Sequence, residues 1–500
     1  MMADQQQLAG ASLHQLLQGL VDSLPEVDCR IGGIALDSRD IEPGDAFLAL
    51  HGYREDGSQY IADAAARGAA VILLEEGLKT SGVDLHIPVI PVQDLRANAG
   101  IIAARFYGEP SRKLEVIGIT GTNGKTSVCQ FISRALNEDH RGKVGCIGTL
   151  GHGLYPDLKP GKNTTPDPVT LQRLLAGFAA AAADYAVMEV SSHALEQGRV
   201  NGIGFDVAVF TNLSHEHLDF HGDMHGYAEA KRKLFQIPGL MYAVINSGDT
   251  YGRTLMEDLS GNVQVIDYGM AGGVVEPAVN AVLRHQDTTG LQLEIASPWG
   301  IGTLHTPLIG SFNADNLLAA LAVLCLLDMP LDEALQRLSR IPPVPGRMEA
   351  FSNAGSATVI VDYAHTPDAL EQALTTLKEM CRGRLVCVFG CGGERDTAKR
   401  PEMGSVAELH ADRIVITSDN PRGEPPQKII SDIAAGMQGG AETVIDEDRM
   451  RAISTAIRAA QPEDIVLVAG KGHETYQEIA GQRYPFSDRQ LVRNLLGIST

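Results

Sequence analysis

The chain has 500 residues, 44% of them hydrophobic and 21% charged, with a formal net charge of −21 at pH 7. That length exceeds a single core and predicts two to four domains. The acidity argues against an extended basic surface for nucleic acid or anionic membrane, while leaving room for a local basic pocket.

Punctuation divides the chain into three expected regions: 1–110, 111–342 and 343–500. The opening "MMADQQQLAG" shows no basic or apolar leader. The first region then reads as a strand in "GGIALDSRD", a turn at "EPGD", a strand "AFLAL", an alanine-rich helix at 61–68 and a strand "AAVILLEE". "FYGEPSRKLEV" breaks the pattern with glycine and proline and reads as a linker. The second region starts with the strand "LEVIGIT", a glycine loop and a helix from about Lys125 to Leu136. Strands follow at "YAVMEV", "DVAVFTN" and "YAVIN", and an apolar helix spans 313–327. Proline-dense "SRIPPVPGRMEAF" marks the second boundary. The third region alternates "ATVIVDYA", a helix at 367–381, "RLVCVFG", a helix near 400–410, "ADRIVITSD", a helix at 427–438 and "DIVLVAG". Such alternation predicts α/β domains with mostly parallel sheets. No apolar run reaches the ~18 residues of a membrane helix. The seven cysteines form no CxxC pair, so a reducing cytoplasm is expected, without disulfides or structural zinc.

"GITGTNGKTS" runs from Gly118 to Ser127. A strand, a glycine turn and a helix starting at Lys125 make a phosphate cradle, in which backbone N–H groups and the helix N-terminus face the oxygens. Lys125 would reach the outer phosphates and Thr126 would offer a hydroxyl to Mg²⁺. The general pattern places its first glycine at 119, which is Ile here, so a tight strand–helix turn with a surface lysine is the competing reading. Glu189, in "VMEVSSHALEQGRV", ends a buried-looking strand, where open α/β sheets bind ligands and where a carboxylate could hold Mg²⁺. "TNLSHEHLDFHG" carries His215, His217 and His221 with Glu216 and Asp219. A zinc cluster, a single histidine joining a Mg²⁺ site and a plain polar loop are all open on these residues. Lys231, in "YAEAKRKLF", reads by default as a lysine that snorkels to solvent. "VFGCGGERD" is not a dinucleotide fingerprint, because the position where the last glycine is expected is Arg395.

Together, "TGTNGKTS", "MEVSSH", "TNLSHEHLDFHG", "EAKRKLF", "GSFNADNLLAA", "PGRMEAF" and "DYAHTPDAL" resemble the Mur ligases in order and approximate spacing, over about residues 30 to 490. That family consists of ATP-dependent amide ligases of peptidoglycan precursor synthesis. The resemblance implies an N-terminal UDP-binding α/β domain, a central P-loop ATPase domain and a C-terminal Rossmann-like domain. "LDSR", "NTTPDP" and "SSHALEQGR" look like the branch that adds the third stem-peptide residue. By that resemblance, Leu36 and Ser38 would contact uridine, with Tyr53, Arg54 and Glu55 near it. Asn163, Thr164, Thr165, Ser191, Gln197 and Arg199 would hold UDP-MurNAc-L-Ala-D-Glu. "SDNPRGE" is similar to the signature of members that use meso-diaminopimelate. Asp419, Asn420, Pro421 and Arg422 would then form the amino-acid pocket with Arg395, Gly470 and Glu474; Arg422 suits a second carboxylate. ATP would lie on Gly121, Thr122, Asn123, Gly124, Lys125, Thr126 and Ser127, with Asn313 and Arg347 as further nucleotide contacts.

The implied catalytic set is Lys125, Lys231, Glu189 and His217. The D-Glu side-chain carboxylate takes the γ-phosphoryl group, and the diaminopimelate amine displaces phosphate from the acyl phosphate. Thr126 and Glu189 would hold one Mg²⁺, and Glu189 with His217 a second. Lys231, as a CO₂-derived carbamate, would be a further oxygen ligand. A monomer with small-molecule substrates, no nucleic acid and no membrane insertion is expected. The competing functions are a lysine-adding relative, a folylpolyglutamate synthetase, and a P-loop ATPase switch acting on a macromolecule.

Overall fold

The structure, a computed structural model, describes residues 10–26, 28–52, 56–79, 85–138, 142–259, 261–273 and 275–498. Three sheets organise it. The first has four parallel strands in the order Ile34–Ala35, Ala46–Ala49, Val71–Glu75 and Val89–Val92. Its two central strands are buried on both faces, which is why they read as continuous apolar runs rather than alternating ones.

The second sheet has ten strands. Glu115–Thr120 lies in the middle, parallel to Tyr185–Glu189 on one side and Val207–Phe210 on the other. The chain runs to one flank through Val144–Gly148 and returns to the other, so a crevice opens at the C-terminal ends of these three strands. Toward one edge the sheet changes character: Val279–Asp287, Gly290–Ser297 and Gly300–Thr306 pair antiparallel. The sequence reading contained no strands here, because these are half-exposed strands with charges on the outer face, such as the Arg284–Glu294 pair at 2.7 Å. The helix Ser311–Leu326 is apolar all round from Leu317 onward. It packs against the sheet on one side and against the helices Lys125–Asn137 and Leu331–Ser339 on others, so no side faces water for long.

The third sheet orders Glu349–Phe351, Thr358–Asp362, Ile465–Ala469, Leu385–Phe389, Arg413–Ile416 and Glu442–Ile445, antiparallel only at the first pair. Its own crevice lies around the end of Ile465–Ala469. Two helices absent from the sequence reading, Leu95–Phe106 and Pro168–Ala180, pack together and join the first sheet's layer to the second. The Asn201 amide donates to the Ala97 carbonyl at 2.9 Å in this junction. No helix among the described residues is long and apolar enough to cross a membrane.

Candidate active site

The glycine loop joins the strand Glu115–Thr120 to the helix Lys125–Asn137. Gly121 and Gly124 adopt φ of +147° and +84°, which side-chain-bearing residues rarely reach. A Cβ at Gly124 would also run into the Asn316 amide oxygen. Gly118 is different: it lies inside the strand, where a Cβ would come within 2.6 Å of the Phe205 ring. It is a packing glycine and not part of the cradle, which accounts for its misfit to the general pattern. The Thr122 and Asn123 amides donate to Asn212, at 2.8 and 2.9 Å. The first amides of the helix, which have no intrahelical acceptor, are thus the donors a phosphate would meet. Lys125 folds back over the loop, its ammonium 2.8 Å from the Gly121 and Thr122 carbonyls.

Glu189 ends the neighbouring strand and is buried. Its carboxylate accepts from the Thr126 hydroxyl at 2.9 Å, the Thr149 amide at 2.7 Å and the Thr149 hydroxyl at 3.1 Å. These are hard oxygen donors grouped at a helix N-terminus, the chemistry that suits a small divalent cation beside phosphates. Thr165 extends the network: its hydroxyl donates to the Glu189 carbonyl at 2.9 Å and accepts from the Ser191 amide at 3.0 Å.

On the other side of the loop stands Glu216, with His217 and His365 each 3.5 Å from its Oε1. Burial alone would raise its pKa, but the His365 hydrogen bond and the charges of His217, His365 and Lys125 outweigh it, holding the carboxylate well below its usual range. Lys231 is buried, donates to the Gly121 carbonyl at 2.8 Å and lies 4.1 Å from the centre of the Tyr227 ring. It does not snorkel. Burial and then the Lys125 charge push its pKa well down, against the pull of Glu216. No bond joins Glu189 to His217; the carboxylate beside His217 is Glu216, and its ring also stands edge-on to His193 at 4.7 Å. Among the described residues, no cluster of three His, Cys, Asp or Glu side chains could hold a metal, so the zinc reading finds no support.

Three contacts bring the third sheet's residues onto this loop. The Asn123 amide group donates to Asp368 at 3.1 Å, Arg347 donates to the Thr126 hydroxyl at 3.3 Å, and His365 meets Glu216. Arg347 is stacked over the Tyr363 ring at 4.3 Å. Beyond them, at the ends of the third sheet's strands, Asp419 and Asn420 are buried and lie next to Gly470, where a Cβ would sit 2.6 Å from the Asp419 carboxylate. Arg422, at φ +51°, donates from its guanidinium to the Gly393 carbonyl at 2.6 Å. Glu474 accepts from Asn420 at 2.8 Å.

This arrangement agrees with three family profiles. "Mur ligase family, catalytic domain" matches residues 30–107, "Mur ligase middle domain" 119–324, and "Mur ligase, glutamate ligase domain" 346–472. The chain is 47% identical over 490 residues to the UDP-N-acetylmuramoyl-L-alanyl-D-glutamate–2,6-diaminopimelate ligase of Coxiella burnetii, covering 97% of this chain and 100% of that one. The protein of that name from Pseudomonas aeruginosa is 46% identical over 476 residues, with 94% and 96% covered. A solved structure with the same name is 34% identical with a TM-score of 0.70, over 98% of this chain and 99% of that one. The chain belongs to the Mur ligase family.

In this Mur ligase the remaining expected site residues are distributed as follows. Ser38 is buried at the rim of the first sheet and Leu36 packs against its core. Tyr53, Arg54 and Glu55 lie outside the described residues. Thr164 shares a hydroxyl contact with Thr149 at 3.0 Å, Ser191 caps the short helix Ser192–Glu196, and Asn163 is exposed. Arg199 donates to the Thr165 carbonyl at 2.8 Å and to Gln197 Oε1, which fixes both side chains. Asn313 is buried and donates to the Ile309 carbonyl at 2.7 Å; Ser127 is buried in the first turn after the loop. Pro421 is buried and Arg395 is exposed on the same wall as Arg422.

No individual role is readable in the sequence for Glu216, Asp368, Tyr227 or Lys471. Glu216 is one of five His, Glu and Asp residues in its loop, and nothing in its spacing separates it from them. Lys471 was readable only as part of "GKGHE"; its burial could not be read.

Proposed function

We propose that this protein joins meso-diaminopimelate to UDP-MurNAc-L-Ala-D-Glu, converting ATP to ADP and phosphate. The observation that carries the reading is the cluster of Asp419, Asn420, Pro421, Arg422 and Glu474, carried by the same third-sheet region whose Arg347 reaches the phosphate loop at Thr126. The relatives that bear this substrate in their names are similar over nearly the whole chain. We divide the chain at 1–110, 111–342 and 343–500, as a UDP-MurNAc-binding, an ATP-binding and an amino-acid-binding domain.

Gly121 to Ser127 would hold the ATP phosphates, with Asn313 and Arg347 at the nucleotide. Lys125 leaves its two carbonyl partners and offsets charge on the outer phosphates. The D-Glu side-chain carboxylate attacks the γ-phosphorus, the bond to the ADP oxygen breaks, and an acyl phosphate forms. The diaminopimelate amine then attacks the acyl carbon, phosphate leaves, and the amine's proton passes to solvent or phosphate. Thr126 and Glu189 would hold one Mg²⁺, and Glu189 with His217 a second, to which Lys231 as a carbamate would add an oxygen ligand. When bound, the metal neutralises phosphate charge and acts as a Lewis acid. An ammonium at Lys231 would repel that cation. Its lowered pKa favours the neutral amine, the form that reacts with CO₂.

Leu36, Ser38, Tyr53, Arg54 and Glu55 would contact the uridine end. Asn163, Thr164, Thr165, Ser191, Gln197 and Arg199 would hold the sugar and dipeptide. Arg422, with Arg395, would take the distal carboxylate of diaminopimelate, and Glu474 its distal ammonium. The third-sheet contacts on the loop close the site against water, which protects the acyl phosphate. We place the protein in the cytoplasm, as a monomer acting on small molecules.

The test is phosphate release with ATP, Mg²⁺ and UDP-MurNAc-L-Ala-D-Glu, adding meso-diaminopimelate or L-lysine. Release that requires diaminopimelate is expected. Release with lysine would overturn the role given to Arg422. Release indifferent to both would favour an ATPase acting on another partner.

A further inference from the structure

Lys471 lies just beyond the strand Ile465–Ala469, and its side chain is 0% exposed. Its ammonium donates to Asn420 Oδ1 at 2.9 Å and to Glu474 Oε2 at 2.8 Å, and sits 5.6 Å from the centre of the Tyr476 ring. Asn420 Oδ1 also accepts from the Glu478 amide at 2.9 Å. With its oxygen held from two sides, the Asn420 amide cannot turn over without burying two donors unpaired. Its nitrogen is therefore directed at Glu474 Oε2, at 2.8 Å. That oxygen is engaged twice, by Asn420 and by Lys471, which leaves Oε1 for a ligand.

A buried ammonium is costly unless paired. This one is enclosed by two side chains that the proposed reaction uses, and its own burial keeps it from touching a ligand. We propose that Lys471 is a positioning residue: it locks the Asn420 amide and the Glu474 carboxylate in the orientation that receives the distal amino group of the diaminopimelate substrate. This rests on the function proposed above. It predicts that Lys471 acts on amino-acid affinity through Glu474, and not on ATP, on the UDP-linked substrate or on the chemical step.

The experiment measures kcat and the KM of each substrate for the unmodified enzyme, Lys471→Met, Glu474→Gln and the double variant. If the unmodified enzyme shows no dependence on diaminopimelate, the reading of the reaction itself fails before any variant is needed. Otherwise Lys471→Met is expected to raise the KM for diaminopimelate by about tenfold or more, the effect of a lost charged hydrogen bond, with the other KM values and kcat changed less than about threefold. The double variant leaves no unpaired buried charge and folds even where the single does not. Its KM for diaminopimelate should match that of Glu474→Gln within about twofold, because Lys471 would have nothing left to position. A double variant about tenfold worse than Glu474→Gln, or a Lys471→Met variant whose loss falls on kcat or on ATP, would overturn the proposal.

Discussion

Arg449 offers a perturbation whose size follows from its surroundings. Its guanidinium forms a two-pronged pair with Asp488, at 2.9 and 2.7 Å, and both side chains are 0% exposed. The same guanidinium donates to the Ser418 carbonyl at 3.3 Å and the Ala469 carbonyl at 2.9 Å. It therefore ties together the two strand ends that lead into Asp419 and Gly470. Arg449→Met leaves a carboxylate buried without its partner and two carbonyls without a donor. Breaking such a pair on one side costs about 3–5 kcal/mol, a large part of the ~5–15 kcal/mol that holds a typical domain folded. Asp488 lies in the first turn of the helix Asp488–Leu496, whose N-terminus recovers a little of this. Replacing both residues, as Arg449→Met with Asp488→Leu, removes the orphaned charge and should recover most of the loss. Amide hydrogen exchange over Ile465–Ala469 reads the effect locally, which suits a chain of several domains where one global unfolding energy is ill defined. The single variant should expose this strand and raise the KM for diaminopimelate more than that for ATP. A single-variant cost below about 1 kcal/mol, or a double variant less protected than the single, would refute the account.

Other outcomes follow from single sites. Glu189→Gln should fold normally, since the Thr149 amide keeps an oxygen acceptor and the two hydroxyls can rotate. It should nevertheless lose about 100-fold or more in kcat with the metal-holding charge; near-normal turnover in a magnesium titration would remove Glu189 from the site. Lys231→Met should abolish turnover without lowering the thermal midpoint, when compared with CO₂-depleted enzyme. The sign follows from the pKa, which is lower folded than unfolded. The unfolded chain then binds more protons, and the native lysine costs stability as pH falls below the ordinary lysine value. A drop in midpoint at pH 7 would contradict this. Asp315 has its pKa pushed up to about 6 by burial, from 3.8. Its ionisation thus removes stability as pH rises through that window, about 3 kcal/mol in all. Asp315→Asn should be more stable at pH 7 and should flatten the stability profile between about pH 4 and 6; an unchanged slope in urea titrations would refute it.

Much of the architecture was legible because parallel strands buried on both faces are unbroken apolar runs, as in "VIGIT", "YAVME" and "LVCVF". Helices with mixed faces were less visible: Leu95–Phe106 is built largely of alanine, glycine and isoleucine, and only its packing against Pro168–Ala180 shows what it is for. The antiparallel extension at 279–306 escaped because its partners, not its composition, make it a sheet. Lys231 reads as an ordinary surface lysine in a helix, yet a tyrosine ring and a loop carbonyl enclose it.

By itself the sequence determined what is local. The glycines at 121 and 124 demand a backbone that other residues cannot follow, Lys125 and Thr126 must open the helix beyond them, and "DNPR" must sit at a strand end. Only the tertiary structure decided which distant groups share a field. Asp368 lies 245 residues from Asn123, yet its carboxylate accepts from that residue's amide. Glu216 meets His365, and Lys471 is closed in between Asn420 and Glu474. Charge acts through space at a few ångströms and burial is set by every layer packed above, so neither can be read along the chain.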